Sequence, residues 1–170
     1  MILIPPYSDD KSWNEVNSSI NFLLDKYETE KLRKNAVVIR DLLSSTFSFQ
    51  DELCFNTCIK CFEPCCSIAQ IWFDIKDLLF LNLLNIKVPE SQPRTEKDSI
   101  CKYYRPLKGC ILNRLERPYI CNYYLCNTQK KNLRKNKPVV LKQTEKIFFE
   151  IKQLRNLIED DFIKITSMNL

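Results

Sequence analysis

Cysteine is the residue whose distribution most constrains this chain. Nine cysteines occur among 170 residues, and all of them lie between positions 54 and 126. Cysteines used only as small core residues would be spread along the chain, whereas thiolates that bind one metal centre must be gathered by the fold. The sequence therefore predicts a sulfur-ligated centre in the middle of the chain, with the flanking segments as its scaffold.

Two further features of the composition narrow the chemistry. The sequence has no histidine, which excludes imidazole-dependent catalytic triads and histidine-ligated metal sites. Its one glycine, Gly109, excludes the glycine-rich loops that bind nucleotides and dinucleotides. The remaining protein ligands for a metal are sulfur or, at most, a carboxylate.

The sequence predicts a cytoplasmic protein with reduced thiols. The amino terminus lacks the basic region and the long apolar run of a signal peptide. The most apolar stretch, residues 68–86, includes Asp74, Lys76 and Asp77, so we expect no membrane span. An odd number of cysteines without a secretory signal favours free or metal-bound thiols over disulfides.

The spacing of apolar residues predicts four amphipathic helices. The first begins at a capping box formed by Ser12 and Glu15, and the second fades into the Ser/Thr-rich residues 44–48. The third begins at a capping box over residues 67–70 and ends before Pro89, and the fourth starts after Pro138. Their apolar stripes are Trp13, Val16, Ile20, Leu23 and Tyr27; Leu32, Ala36, Ile39 and Leu43; Ile68, Ile71, Ile75 and Leu78; and Ile147, Ile151, Leu154, Ile158, Phe162 and Ile165.

We expect a mostly α-helical single domain organised around a cysteine-ligated metal centre, with little or no sheet, because period-two alternation is scarce. Residues 87–99 are polar and contain prolines, which predicts a surface connector. The parts of this domain are the N-terminal helices at 1–50, the cysteine core at 54–126 and the C-terminal helix at 138–166, within residues 1–170.

The spacing of the cysteines is typical of metal-binding turns. Two residues separate Cys58 from Cys61, so a tight turn can direct both sulfurs at one ion. Adjacent side chains diverge, so at least one of Cys65 and Cys66 is expected to have another role or to serve a second centre. Gly109 directly precedes a cysteine, which predicts a positive φ at this position. A turn that presents a metal ligand is favoured here over a plain turn.

The cysteine pattern resembles that of a known family. The first group reads Cys58-Ile-Lys-Cys61-Phe-Glu-Pro-Cys65-Cys66, and the second contains Cys101, Gly109-Cys110 and Arg117-Pro118-x-x-Cys121-x-x-Tyr124-x-Cys126. This pattern is similar to the bacterial CxxCxxCC cysteine-cluster family, a zinc- or iron-chelating domain with a similar domain in flagellin lysine methylases. The match covers residues 58–126, and its closing Arg-Pro segment is the most specific part.

The chain departs from that family pattern at three points. Three residues, rather than two, separate Cys61 from Cys65, and the span from Cys110 to Arg117 is one residue longer. Cys54 has no counterpart in the signature, and we expect it to be an ordinary buried cysteine. It lies four residues before Cys58, so a helical turn would put both on one face.

The resemblance implies a zinc ion or a 4Fe–4S iron–sulfur cluster as the cofactor. Four thiolates complete either group, so eight cysteines suffice for two centres, or for one centre and additional thiols. The surplus of sulfur and the lack of histidine favour iron–sulfur slightly. By this resemblance the metal-ligand candidates are Cys58, Cys61, Cys65, Cys66, Cys101, Cys110, Cys121 and Cys126.

Charged and aromatic residues near the cysteines carry further expectations. By the motif, Arg117 is expected to neutralise the negative centre without binding it; the alternative is a surface arginine before Pro118. The basic run at 130–137 is expected to be a solvated loop, and nucleic acid is not an expected partner because the net charge is only +5. Five tyrosines are expected to shield the centre from water: Tyr103, Tyr104, Tyr119, Tyr123 and Tyr124.

Three classes of function remain open. The favoured interpretation is a metal- or iron–sulfur-binding protein of unassigned activity, with an unidentified protein partner. The first alternative, implied by the resemblance, is a protein-modifying enzyme or subunit like the flagellin lysine methylases, although no glycine loop for S-adenosylmethionine is visible. The second alternative is an iron–sulfur redox or electron-transfer protein. No catalytic base or nucleophile is identified.

Overall fold

The computed structural model of the protein describes residues 7–59, 61–94 and 100–167. The predicted mostly α-helical fold is confirmed, and the sheet in this part of the chain is one antiparallel pair of two-residue strands. The elements are α1 (Asp10–Lys26), α2 (Glu30–Thr57), α3 (Cys65–Ile68), α4 (Ile75–Leu83), β1 (Tyr104–Arg105), β2 (Gly109–Cys110), a 3-10 helix (Arg114–Glu116), α5 (Tyr119–Tyr123), α6 (Asn127–Asn136) and α7 (Pro138–Ser167).

Helix α1 begins earlier than the sequence predicted. Its N-cap is Asp9, whose carboxylate accepts a hydrogen bond from the Ser12 backbone N–H at 2.9 Å. The predicted capping box at Ser12 is wrong because that residue lies in the first turn, where its hydroxyl donates to Asp9 at 2.8 Å. A carboxylate is a strong N-cap, and the helix N-terminus favours its negative charge.

Helix α2 continues through the Ser/Thr-rich stretch at which it was predicted to fade. The hydroxyls of Ser45 and Thr46 donate to the carbonyls of Leu42 and Leu43, so these residues satisfy their side chains without leaving the helix. The helix therefore runs for 28 residues and ends at Cys58, its C-cap. Its predicted apolar stripe is confirmed as buried: Leu32, Ala36, Ile39 and Leu43.

The third predicted helix starts in the wrong place. Residues 65–68 form the single turn α3, and residues 69–74 are not helical. Helix α4 begins at Ile75 after a capping box in which Asp74 and Asp77 each accept the other's backbone N–H, at 2.8 and 3.0 Å. The hydroxyl of Ser67 donates to Pro64 at 2.7 Å and does not cap a longer helix.

The main apolar core lies between α1, α2, α4 and α7. Helix α7 begins at Pro138 as predicted, and Ile151 and Ile158 from its predicted stripe are almost fully buried. Trp13 of α1 packs against Phe73, with ring centroids 5.6 Å apart, and its indole N–H donates to the Pro89 carbonyl at 3.0 Å. Among the described helices, none has the length and apolar character needed to cross a membrane.

The predicted surface connector is irregular as expected, and Lys87 and Glu90 are exposed, but its surface location is wrong for residues 91–94, which are buried. Gln92 is fully buried, and its amide side chain bonds both the N–H and the C=O of Phe73, at 2.8 and 3.1 Å. Arg94 is also buried and donates to the carbonyls of Ser67 and Ala69, each at 2.6 Å. These polar side chains fasten the non-helical segment before α4, which is why a polar sequence is buried here. The rest of the predicted connector, residues 95–99, lies outside the described residues.

The basic run at 130–137 is helical rather than a loop. Most of it lies in α6, which buries Gln129 and Leu133 while its lysine and arginine side chains remain exposed. The backbone N–H of Cys126 donates to the Gln129 side chain at 3.2 Å, and this bond supports the start of the helix. The expected solvation of these charges is confirmed, but the expected loop is wrong.

Candidate metal centre

Seven of the nine cysteines line a single cavity of about 380 Å³. Six of them are among the eight predicted ligand candidates, and the seventh is Cys54. Of the other two candidates, Cys61 is exposed, and neither Cys61 nor Cys126 lines this cavity. All nine cysteines are free thiols in this structure. The lining cysteines are Cys54, Cys58, Cys65, Cys66, Cys101, Cys110 and Cys121.

The carboxyl end of α2 contributes the first two thiols. Cys54 and Cys58 are one helical turn apart, and the Cys58 N–H donates to the Cys54 carbonyl at 2.7 Å. A tight turn follows, closed by the Cys61 N–H on the Cys58 carbonyl at 3.2 Å. The chain then enters α3, which supplies Cys65 and Cys66. This wall of the cavity is therefore local in sequence.

The opposite wall comes from the second cysteine segment. The Cys101 N–H donates to the Cys66 carbonyl at 3.0 Å and so joins the two segments. Strands β1 and β2 present Cys110, and the short helix α5 supplies Cys121. Gly109 has φ +82° in the hairpin and lines the cavity, which confirms the predicted positive φ.

In two pairs of cysteines in the cavity, a hydrogen bond between the thiols shifts both pKa values. The Cys58 thiol donates to Cys54 and, with help from Arg114, lowers the pKa of Cys54 to about 6, while the pKa of Cys58 rises. The Cys66 thiol lowers the pKa of Cys65 to about 7 in the same way, and the pKa of Cys66 rises. Each pair thus favours one thiolate near neutral pH, and thiolates are the metal-binding form of cysteine.

In the opposite wall of the cavity, burial raises the pKa values of two thiols. It raises the pKa of the Cys101 thiol and raises that of the Cys121 thiol strongly. Neighbouring sulfurs add to this effect, since a negative charge on Cys110 disfavours ionisation of both. A cation bound in the cavity would reverse this balance and favour the thiolates.

Two arginines lie in the cavity wall. Arg117, which the sequence predicted beside the centre, donates its Nε to the Leu112 carbonyl at 3.0 Å, and its charge favours the thiolates of Cys54 and Cys121. Arg114 is buried and donates from Nη2 to the Cys54 sulfur at 3.8 Å. Arg114 was not predicted from the sequence, because 60 positions separate it from its sulfur partner and no local pattern connects them.

Gln129 also contacts sulfur, and this contact was not predicted from the sequence. Its Nε2 donates to the Cys58 sulfur at 3.5 Å and to the Thr57 hydroxyl at 2.9 Å. Its backbone N–H donates to the Cys126 sulfur in a capping box at the start of α6. The sequence did carry this signal, because Cys126-x-x-Gln129 has the spacing of a capping box with sulfur in place of a hydroxyl.

The five tyrosines divide between two cavities. Tyr103, Tyr104 and Tyr124 line the cysteine cavity, in keeping with the shielding role predicted for them. Tyr119 and Tyr123 do not, and for these two the prediction is wrong: they line a second cavity of about 520 Å³. That cavity is lined by both aromatic and charged side chains, and α5 forms a wall of both cavities.

A buried ion-pair network forms the floor of the second cavity. Arg155 of α7 bonds Asp77 at 2.7 Å and Asp74 at 2.8 Å, and its guanidinium lies 4.5 Å from the Tyr119 ring centroid. Burial raises the pKa of Asp77 to about 6 even though Arg155 opposes that shift. These contacts join α7 to the N-terminus of α4, so the network is accounted for by helix packing.

Within the described residues, no three cysteine, aspartate or glutamate side chains converge in a geometry that holds a single metal ion. The seven thiols are instead distributed around the wall of the cavity. Comparison of the chain with protein-family models, with curated proteins and with solved structures finds no match.

Proposed function

We propose that the protein binds a metal centre through thiolates in the cysteine cavity, and that an iron–sulfur cluster suits this cavity better than a zinc ion. The observation that carries the proposal is that seven cysteines, delivered by α2, α3, the β1–β2 hairpin, α5 and the chain before the hairpin, line one cavity. Free thiols are usually buried singly as small apolar groups. The gathering of seven thiols from separate segments around one cavity is typical of ligands for one centre.

The size of the cavity favours a group larger than one ion. A closed zinc site holds four sulfurs about 2.3 Å from the metal and leaves no free volume. The cysteine cavity has about 380 Å³, the volume of roughly a dozen water molecules in the liquid. A 4Fe–4S cluster needs four thiolates, so the wall has enough sulfur for one cluster with three thiols to spare.

The charges of the wall suit a thiolate-bound centre. Such a centre is negative, and Arg114 and Arg117 both lie in the wall. When bound, an iron–sulfur cluster would supply electron-transfer chemistry. The chain's own residues would bind it through sulfur, neutralise its charge with the two guanidinium groups and limit access of water with Tyr103, Tyr104 and Tyr124. The zinc- and iron-chelating CxxCxxCC family, which the sequence resembles, is consistent with this proposal.

Anaerobic purification tests the proposal. The protein should be brown, with a broad visible absorption band and equal amounts of iron and acid-labile sulfide, about four of each per chain. A variant with Cys101→Ser and Cys121→Ser, which removes two sulfurs from the opposite wall, should lose most of both. A colourless protein with stoichiometric zinc would refute the cluster but retain the metal centre. A protein that binds neither zinc nor iron would refute both.

The second cavity favours a second candidate function, a protein-modifying enzyme. Its volume of about 520 Å³ and its wall of charged and aromatic residues, which include Trp72, Tyr123 and Phe149, suit a side chain of another protein. The test is transfer of a methyl group from added S-adenosylmethionine, which leaves as S-adenosylhomocysteine, to a lysine amine of flagellin or another lysine-rich protein, with mass spectrometry as the readout. A Tyr123→Ala variant should lose the transfer, and absence of transfer by the metal-loaded protein would reject the candidate.

A further inference from the structure

We propose that Cys54, which lies outside the CxxCxxCC signature, is a ligand of the metal centre, and that Arg114 is the residue that positions it. This inference rests on the proposed metal centre and specifies its ligand set. It also implies that Cys61, a ligand candidate by resemblance, is not required.

The surroundings of Cys54 are those of a ligand rather than of a core residue. Its side chain lines the cavity together with those of Cys58 and Cys65, and its sulfur accepts a hydrogen bond from the guanidinium of Arg114 at 3.8 Å. It belongs to neither of the two apolar clusters of the described chain, although Leu53 beside it does. Its position in α2, a helix anchored in the main core, gives it a fixed backbone.

Arg114 is held by a set of hydrogen bonds directed at the end of α2. Its Nε and Nη2 donate to Asp51 at 2.7 and 2.6 Å, and its Nη1 donates to Gln50 at 2.9 Å. The same Nη2 reaches the Cys54 sulfur at 3.8 Å. Asp51 and Gln50 lie about one turn before Cys54 on α2, so the arginine bridges that turn.

The bridge extends to the opposite wall of the cavity. Asn122 of α5 donates from Nδ2 to the Arg114 carbonyl at 3.2 Å, and its own carbonyl accepts from the buried Gln50 side chain. Asn122 is adjacent to Cys121 in the sequence. One closed network therefore sets the separation between the helical turn that carries Cys54 and the helix that carries Cys121. The Arg114 side chain contacts three partners in it, Asp51, Gln50 and Cys54, and adds a fixed positive charge.

The two cysteines outside the cavity have other surroundings. Cys61 is exposed in the turn after α2 and does not line the cavity. The sulfur of Cys126 accepts the Gln129 N–H at the start of α6 and thereby serves as a helix cap. Cys61→Ser is therefore the matched control for Cys54→Ser, because both substitutions replace sulfur by oxygen within the same cysteine segment.

The experiment compares the two variants with the wild-type protein after anaerobic purification. Cys54→Ser should bind at least threefold less iron and sulfide, or zinc, per chain, whereas Cys61→Ser should match the wild type. A Cys54→Ser variant with wild-type metal content would overturn the inference while leaving the metal centre intact. Wild-type protein without any metal would instead refute the centre itself, and the inference with it.

Thiol alkylation of the wild-type protein gives the same answer without a substitution. In the metal-loaded protein Cys54 should resist iodoacetamide and become labelled after chelation, whereas Cys61 should be labelled in both states. Labelling of Cys54 in the fully loaded protein would overturn the inference even if the serine variant failed to fold.

A separate measurement tests whether Arg114 positions Cys54. Arg114→Gln should release metal to a chelator about tenfold faster than the wild type, in the range typical of groups that orient metal ligands. If the centre is an iron–sulfur cluster, its reduction potential should become more negative, because a nearby positive charge favours the reduced form. Arg105→Gln, at an exposed hairpin position, should change neither quantity, and Arg114→Lys should restore the potential in part. An unchanged potential and release rate in Arg114→Gln would refute this role.

Discussion

At the residue scale, the hairpin beside the cysteine cavity contains two left-handed backbone positions, and glycine occupies one of them. Gly109 has φ +82° and Leu107 has φ +62°, while the leucine side chain is 78% exposed. No heavy atom lies within 4 Å of the position that a Cβ would take at Gly109. Substitution there would therefore act through the backbone alone.

These two positions predict opposite effects on stability. Gly109→Ala should lower the free energy of unfolding by about 1 to 2 kcal/mol, because a Cβ is strained at positive φ. Leu107→Gly relieves the same strain and should raise it by up to about 1 kcal/mol, less the entropy that glycine adds to the unfolded chain. Urea unfolding of both variants measures the difference. Equal stability of the two variants would show that this loop does not hold the described conformation.

The sequence predicted the candidate site where its signal was local. Positive φ at Gly109 followed from the one glycine, and six cavity cysteines followed from their resemblance to a spaced pattern. Arg114 and Cys54 could not be paired in this way, because the contact depends on how α2 and the 3-10 helix pack. Spacing also could not show that the chain around Cys61 turns this thiol away from the cavity.

At the element scale, the apolar stripes were predicted better than the helix ends. The stripe of α2 is buried, and the stripe of α7 is buried at Ile151 and Ile158 and partly buried elsewhere, because apolar periodicity records the packing face directly. The predicted starts of α1 and of the third helix were wrong because Asp9 and Asp74, rather than Ser12 and Ser67, cap the helices. The surface location predicted for residues 91–94 was wrong for a different reason: their polar side chains supply hydrogen bonds to the backbone that a neighbouring strand would otherwise have supplied.

A variant at Gln92 tests whether this side chain stabilises the Phe73 backbone in place of a neighbouring strand. Gln92→Leu keeps a similar volume but leaves the buried N–H and C=O of Phe73 without these partners, so unfolding free energy should fall by about 2 to 4 kcal/mol. Gln70→Leu, at an exposed position just upstream, should change it by less than about 0.5 kcal/mol. Thermal or urea unfolding compares the two. A Gln92→Leu variant as stable as Gln70→Leu would contradict the structural role of this side chain.

The buried carboxyl of Asp77 makes the stability of the folded protein depend on pH, with a sign that is unusual for an aspartate. Its pKa in the folded protein, about 6, exceeds its ordinary value of 3.8, so between these values the folded state binds a proton that the unfolded state releases. The contribution of this group to stability therefore grows as the pH falls from 7 to 4. The difference in unfolding free energy between wild type and Asp77→Asn should shift in favour of wild type by on the order of 2 kcal/mol. A shift toward the variant on acidification would show that the ion pair with Arg155 outweighs burial.

At the scale of the whole molecule, the main apolar core and the cysteine cavity are separate. The core is formed by α1, α2, α4 and α7, and no cysteine is among the buried residues of its cluster in the described chain. A smaller apolar cluster, which contains Leu53, Leu125, Leu133 and Leu141, lies next to the cysteine segments. The long helices can therefore keep their packing when the cavity changes, whereas the segments around the thiols depend on whatever the cavity binds.

This separation predicts a partial, local response to metal removal. Chelation should lower the melting temperature, because a group bound only by the folded state stabilises it by mass action. The far-UV circular dichroism should nevertheless retain most of its helical signal, and trypsin should cleave newly at Lys102 and Lys108 around the hairpin. Sites in α2 such as Lys31 should remain protected, and a Cys65→Ser/Cys66→Ser variant should show the chelated pattern from the start. Loss of the entire helical signal on chelation would mean that the centre and the core fold as one unit, as in small domains that are unfolded without their metal.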